Sequence, residues 1–154
     1  MPTASRPKFP DSYRISPEDE GQLEWSWAVD RLAAARSYWI VTSGPGGRPH
    51  ASPVWGLWLD DALVFGTSPE SRKGKNLERD PRVVVHLESG DEVVILEGEI
   101  ERGPIDDRIA GIYKDKYDFR PEPGDGWFWL RPSSALAWVE RDYPKTATRF
   151  TFDR

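Results

Sequence analysis

The chain has 154 residues, a formal net charge of -5 and 38% hydrophobic residues, a length that encloses one hydrophobic core in one expected domain. The acidic balance argues against general nucleic-acid binding, whose non-specific affinity comes from cations set against phosphates. No Cys is present, which removes disulfides, thiolate nucleophiles and Cys-zinc sites and fits the cytoplasm; no apolar run approaches the roughly 20 residues of a membrane span.

Residues 1 to 16 are rich in Pro, Ser and charge without a period, which predicts an extended arm ahead of a domain over 17–154. The polar start MPTASRPKFPDSYR lacks the apolar stretch of a secretory signal, so none is expected. Ser16-Pro17-Glu18 reads as a helix start: a capping hydroxyl, Pro at the first helical position, then an acid near the positive dipole end. Trp25, Ala28, Val29, Leu32 and Ala33 recur at helical spacing and predict an amphipathic helix to about Arg36. From Tyr38 the pattern changes to strands. SYWIVTS, the turn GPGGRP and HASPVWGLWL form a first antiparallel pair, and the turn at Asp60-Asp61 leads into ALVFGT. Pro53 implies an edge position or a bulge, because it brings no N–H to a ladder.

Residues 71–80 read as one short helix, stopped at Asp80-Pro81 because the residue before Pro avoids the helical region. VVVHLE and VVILEGEIE make a further hairpin across Ser89-Gly90-Asp91. Ile105, Ile109 and Ile112 share one side of a predicted helix over 105–117; FRPEPGDG is a loop, and WFWL, ALAWVE and TRFTF are strands. About eight strands and three helices without βαβ alternation predict a mostly antiparallel, α+β barrel with helices outside.

The stretch SPESRKGKNLERDPRVVV sets five cations against three carboxylates in this acidic chain. Ser71 can cap a helix whose first turn carries Arg72 and Lys73, so a hydroxyl, free N–H groups and two cations converge as they would on a phosphate. The plainer alternative is a solvated basic face. GPGGRP has neither dinucleotide nor P-loop spacing and sits between strands, so it reads as a turn. His50 and His86 lie on different strands without metal-ligand spacing. His86 faces opposite to Val83, Val85 and Leu87 and reads as structural or surface, whereas His50 shares its face with Ser52 and Val54, a rim suited to a planar ligand or to solvent. Glu97, Glu99 and Glu101 share one strand face and read as a wetted side of the sheet. With two His and no Cys, no nucleophilic triad is supported, so any redox or transfer chemistry needs a bound cofactor. Eight Trp suit a dense core or a planar aromatic ligand.

In order and spacing, GGRPHASPVWGLW, ALVFGTS, SRKGKNLERDPRVVVHLE and VVILEGEIE resemble the flavin and deazaflavin oxidoreductase superfamily, the group that contains pyridoxamine 5'-phosphate oxidase, over roughly residues 25 to 103. The resemblance implies a split β-barrel of the six-stranded antiparallel type with flanking helices, FMN or the deazaflavin F-420 as cofactor, and a homodimer with the cofactor at the subunit seam. It implies that Ser71, Arg72 and Lys73 grip the cofactor phosphate, that Thr67 adds a hydroxyl, that Asn76 braces the loop, and that His50, Ser52 and Val54 lie along the ring. The implied activity is hydride transfer to an unsaturated small organic substrate, with Trp55 or Trp127 as a wall; a non-catalytic flavin carrier or sensor would share the loop. Single-stranded nucleic-acid binding by Trp stacking is disfavoured by the acidity. Lys75, Arg79 and Arg82 add charge that suits the long anionic tail of F-420, unless Arg79 and Arg82 pair with Glu78, Asp80 or the acidic strands. The vitamin B6 oxidases carry an Arg-and-His motif near the C-terminus; YPKTATRFTFDR has no His, so pyridoxal phosphate synthesis is not expected.

Overall fold

The computed structural model describes residues 1–8, 10–14 and 20–154. In chain order its elements are β1 (Thr3–Ser5), α1 (Trp25–Ala34), β2 (Tyr38–Ser43), β3 (Pro49–Val54), β4 (Leu57–Leu59), β5 (Ala62–Phe65) and α2 (Arg72–Arg79). There follow β6 (Arg82–His86), β7 (Glu92–Ile105), α3 (Asp107–Tyr117), β8 (Gly124–Leu130), β9 (Ser134–Val139), the single turn α4 (Tyr143–Thr146) and β10 (Thr148–Thr151). Every strand pair is antiparallel. One path runs β1-β10-β9-β7-β6-β2-β3, and a second leaves β7 through β8 to β5 and β4. The sheet does not close on itself, so the barrel is split, as the resemblance implies.

The 14-residue β7 joins the two parts: its first half pairs with β6 and β9, and Ile100–Ile105 pairs with β8. Gly98 stands at the changeover, where a Cβ would lie 3.2 Å from both Pro132 Cα and Ser133 N. The barrel interior takes alternate residues, among them Tyr38, Ile40, Leu63, Phe65, Val85 and Leu96, and α1 adds Trp25, Ala28 and Leu32. A second cluster forms outside the barrel, where Ile109, Ala110, Tyr113 and Tyr117 of α3 pack on Leu57, Val64 and Ile105. Each large apolar side chain buried this way contributes roughly 1.5–3 kcal/mol.

Most expected elements stand where the patterns put them, and the differences have local causes. Asp60 and Asp61 both take positive φ, 50° and 57°, forming the two-residue primed turn that matches strand twist. Pro53 lies on β3, which among the described residues pairs with β2 alone and is an edge. HASPVWGLWL is two strands, not one, because Trp55-Gly56 interrupts it. The backbone of Gly56 is drawn to α3: its N–H donates to Tyr117 Oη, and its carbonyl accepts from Lys116 Nζ, both at 2.9 Å. Helix α1 begins at Trp25 and ends at Ala34, short of Arg36; the helix start expected at Ser16-Pro17-Glu18 lies outside the described residues. Ile105 closes β7 instead of opening α3, whose cap is Asp106, accepting from Ile109 N at 2.8 Å. The strand β8 starts at Gly124, inside the expected loop. Thr3–Ser5, within the expected arm, pairs with β10 and is one of ten strands where about eight were expected. Among the described residues no helix is long and apolar enough to cross a membrane.

The buried tyrosines set an alkaline limit. Desolvation raises the Tyr38 hydroxyl, which donates to the Leu32 carbonyl, far above its ordinary range and pushes Tyr113 up to about 12. In the unfolded chain these groups ionise near about pH 10. The folded values are the higher ones, so this stability is full below about pH 10 and is lost as pH climbs toward the folded values. An alkaline titration is expected to show Tyr38 and Tyr113 forming tyrosinate only as the fold is lost. Ionisation of all five tyrosines near about pH 10 with the circular dichroism unchanged would contradict this.

Candidate functional site

The loop from β5 into α2 is held by its own hydroxyls. Ser71 Oγ accepts from Gly74 N at 3.0 Å and donates to the Ser68 carbonyl at 2.7 Å, with Thr67 Oγ1 3.2 Å away. Ser71 is therefore the N-cap that its position predicts. Its proton is already committed to Ser68, so the side chain shapes the loop more than it offers a donor to an anion. Gly74 is pressed against that loop: a Cβ there would lie 2.1 Å from the Ser68 carbonyl oxygen.

Arg72 and Lys73 occupy the first turn of α2 and, among the described residues, have no hydrogen-bond or ion-pair partner. Arg72 is exposed and Lys73 half-buried. Two cations at the positive end of a helix dipole oppose the helix. An anion accepted by the free N–H groups and these side chains reverses the sign of that term.

The inward face of β3 carries the second half of the site. His50, Ser52 and Val54 stand opposite Thr42, Ile40 and Tyr38 of β2. His50 Nδ1 and Ser52 Oγ are buried without a partner; among the described residues the only other side-chain atom in that condition is Trp129 Nε1. An unsatisfied buried polar group costs about 1–3 kcal/mol, so this edge is unfavourable until something bonds to it. Buried Asn76 donates from Nδ2 to Thr42 Oγ1 at 3.0 Å. As Thr42 is the cross-strand neighbour of His50, that bond fixes the cation-bearing helix against the strand pair that carries the unpartnered atoms.

Of the three further cations, two are engaged among the described residues. Arg82 grips Asp80 with Nε at 3.0 Å and Nη2 at 2.8 Å, and these hydrogen bonds pull the Asp80 carboxyl down to about 2. Arg79 Nη2 donates to the Ser43 carbonyl at 2.6 Å. Lys75 is exposed and, among the described residues, has no hydrogen-bond or ion-pair partner. Of the two readings of these cations, pairing with a neighbouring acid holds for Arg82, whereas Arg79 engages a backbone carbonyl.

A broad groove lies elsewhere. About 820 Å³ in volume, it runs over the outer face of β2, β6 and β7 and is lined by Val41, Val84, Glu97, Glu99, Glu101 and three arginines, Arg82, Arg131 and Arg154. Neither Ser71–Lys73 nor His50–Val54 lines it. Beside this groove, on the same face, His86 stacks on Trp39 with rings 6.3 Å apart and 3° from parallel.

The two candidate wall residues differ. Trp127 is half-buried, with Gly66, next to Thr67, against its ring: a Cβ on Gly66 would lie 3.2 Å from it. Trp55 is 42% exposed and stacks on Tyr117 with centroids 4.5 Å apart. Sequence reasoning did not single out Tyr113, Tyr117 and Arg36, which touch Trp55, or Lys116, which lies over the Tyr117 ring. The signal available was Tyr113 and Tyr117 one helical turn apart.

Residues 28–138 match the model of the family described as pyridoxamine 5'-phosphate oxidase. No curated protein matches. Among solved structures, a conserved hypothetical protein from Mycobacterium tuberculosis is 23% identical with a TM-score of 0.59, the match covering 77% of this chain and 86% of that one. An F420 reductase is 20% identical with a TM-score of 0.55, covering 69% and 93%. An FAD-binding protein from Mesorhizobium loti is 17% identical with a TM-score of 0.54, covering 85% and 96%. At these identities the likeness establishes the fold.

Proposed function

This chain belongs to the pyridoxamine 5'-phosphate oxidase family, and from that footing we propose a flavin- or deazaflavin-dependent oxidoreductase that passes hydride to an unsaturated small organic acceptor. The observation that carries this reading is the pair of unpartnered buried atoms on the β3 edge, His50 Nδ1 and Ser52 Oγ. The heteroatoms along a flavin edge are partners of the kind such atoms require. Arg72 and Lys73 hold the phosphate, Thr67 adds its hydroxyl, and Ser71 and Asn76 keep the loop in shape. His50 and Ser52 orient the ring, and Val54 packs beside it. When bound, the cofactor supplies the hydride chemistry that this chain's side chains lack. The protein contributes orientation and exclusion of water, and solvent supplies the proton.

Neighbours in fold that are described as an F420 reductase and as FAD-binding support the cofactor class. With Arg79 and Arg82 engaged, the leaning toward F-420 over FMN rests on Lys75. Thr148–Thr151 and the residues around it include no His, so the oxidation that gives the family its name is not proposed.

A homodimer belongs to the same reading. The outer face of β2, β6, β7 and β9 presents Trp39, Val41, Val84, His86, Ile95 and Leu136, all half-buried in the single chain. The groove beside them carries both signs of charge, which a two-fold axis can set against one another. Sedimentation is expected to give twice the 17.6 kDa chain mass, and Ile95→Lys to give monomer. The activity is tested by mixing reduced cofactor and enzyme with α,β-unsaturated acceptors. Acceptor-dependent reoxidation supports the oxidoreductase, whereas tight binding without reoxidation by any acceptor favours a carrier. A wild-type monomer would contradict the assembly.

A further inference from the structure

Two cations outside the proposed cofactor grip sit together without an acid. Lys116 Nζ donates to Tyr38 Oη and to the Gly56 carbonyl, both at 2.9 Å and both neutral. Arg36 donates from Nη1 to the Lys116 carbonyl at 3.2 Å. Among the described residues no carboxylate pairs with either. Burial and the nearby guanidinium lower the Lys116 ammonium to about 8, so the two charges disfavour one another as they stand.

The cations lie against an aromatic stack. The Arg36 guanidinium carbon lies 5.4 Å from the Trp55 ring centre and 5.0 Å from that of Tyr117; Lys116 Nζ is 5.2 Å from the Tyr117 ring. Trp55 and Tyr117 stack face to face, with centroids 4.5 Å apart and planes 6° from parallel, so Tyr117 backs one face of the indole while Trp55 is the ring that meets solvent. Aromatic contact holds the guanidinium in place, and a guanidinium so held presents the fork that matches a carboxylate.

We propose that Arg36, Lys116 and the Trp55–Tyr117 stack form a binding site for a planar organic carboxylate, an aromatic or conjugated acid. The acid's carboxylate meets the two cations, and its conjugated plane lies on the exposed indole. Trp55 directly follows Val54 of β3, which sets the site at the end of the strand proposed to carry the cofactor ring. That the bound acid is also the hydride acceptor rests on the function proposed above; the site itself does not.

The test is calorimetric titration of the full chain with trans-cinnamate and with its uncharged amide, each with and without FMN and F-420. Cinnamate is expected to bind, and the amide to bind at least about ten-fold more weakly. Arg36→Gln and Trp55→Ala are each expected to weaken cinnamate by about ten-fold or more, with Arg36→Lys intermediate. Cofactor titration is expected to be unchanged in the two Arg36 variants. Equal affinity for acid and amide, no binding of cinnamate, or an unaffected Arg36→Gln would overturn the site. Cinnamate binding in a protein that takes up neither cofactor would fault the proposed function and leave the site standing.

Discussion

Gly74→Ala is expected to abolish measurable cofactor binding and to lower folding stability by about 1–3 kcal/mol, the usual range for overpacking. The added Cβ would lie 2.1 Å from the Ser68 carbonyl oxygen and 3.0 Å from Pro69 Cα. Both are backbone atoms, so no side-chain rotation relieves the clash. The Ser68 carbonyl also accepts from Ser71 N and Ser71 Oγ, so moving it dismantles the cap of α2 and displaces Arg72 and Lys73 with it. Denaturant unfolding and cofactor titration on the same preparation check both effects. An unchanged midpoint with unchanged affinity would mean that the loop yields freely and is not a built anion site.

Lys73→Ala separates binding from stability. Losing a charge-assisted phosphate contact is expected to weaken cofactor binding more than ten-fold, about 1.4 kcal/mol. Stability is expected to hold or to rise by about 0.3–1 kcal/mol, because a cation without a partner is removed from the positive end of a helix. A purely structural lysine would move the two quantities together, and a solvated basic face would leave binding unchanged. Lys75→Ala refines the cofactor choice: a loss of affinity for F-420 but not for FMN marks contact with the longer anionic tail.

What was legible in the sequence was what local chemistry decides. The α2 helix was readable because its start needs only Ser71 and its stop only Asp80-Pro81, all within a few residues of the helix they bound. The Asp60-Asp61 turn was readable for the same reason, and Pro53 narrowed its strand to an edge or a bulge. The break at Trp55-Gly56 was not, since its cause is tertiary: the partners of Gly56 are Tyr117 and Lys116, 61 and 60 residues away. The strand β1 was hidden because Thr3-Ala4-Ser5 is exposed throughout and leaves no alternation to read.

The candidate site divides in the same way. The cation pair and its capping Ser were visible in the order of letters; alternation set His50, Ser52 and Val54 on one face, and the resemblance supplied their place along a ring. That His50 Nδ1 and Ser52 Oγ lack partners follows only from the register with β2 and the packing around it. Charge counting left open whether Arg79 and Arg82 serve a ligand or pair with nearby acids, and only the fold shows Arg79 on a backbone carbonyl and Arg82 on Asp80. The Arg36–Lys116 pair escaped notice because its members are 80 residues apart.

The central claim is that the Ser71 loop and the β3 edge together hold a flavin-type cofactor, and spectral titration of the purified protein with FMN and with F-420 tests it most directly. A saturable change in the ring absorbance with at least one of them, weakened in Lys73→Ala, is the predicted result. A protein that leaves both spectra unaltered at every concentration would contradict it.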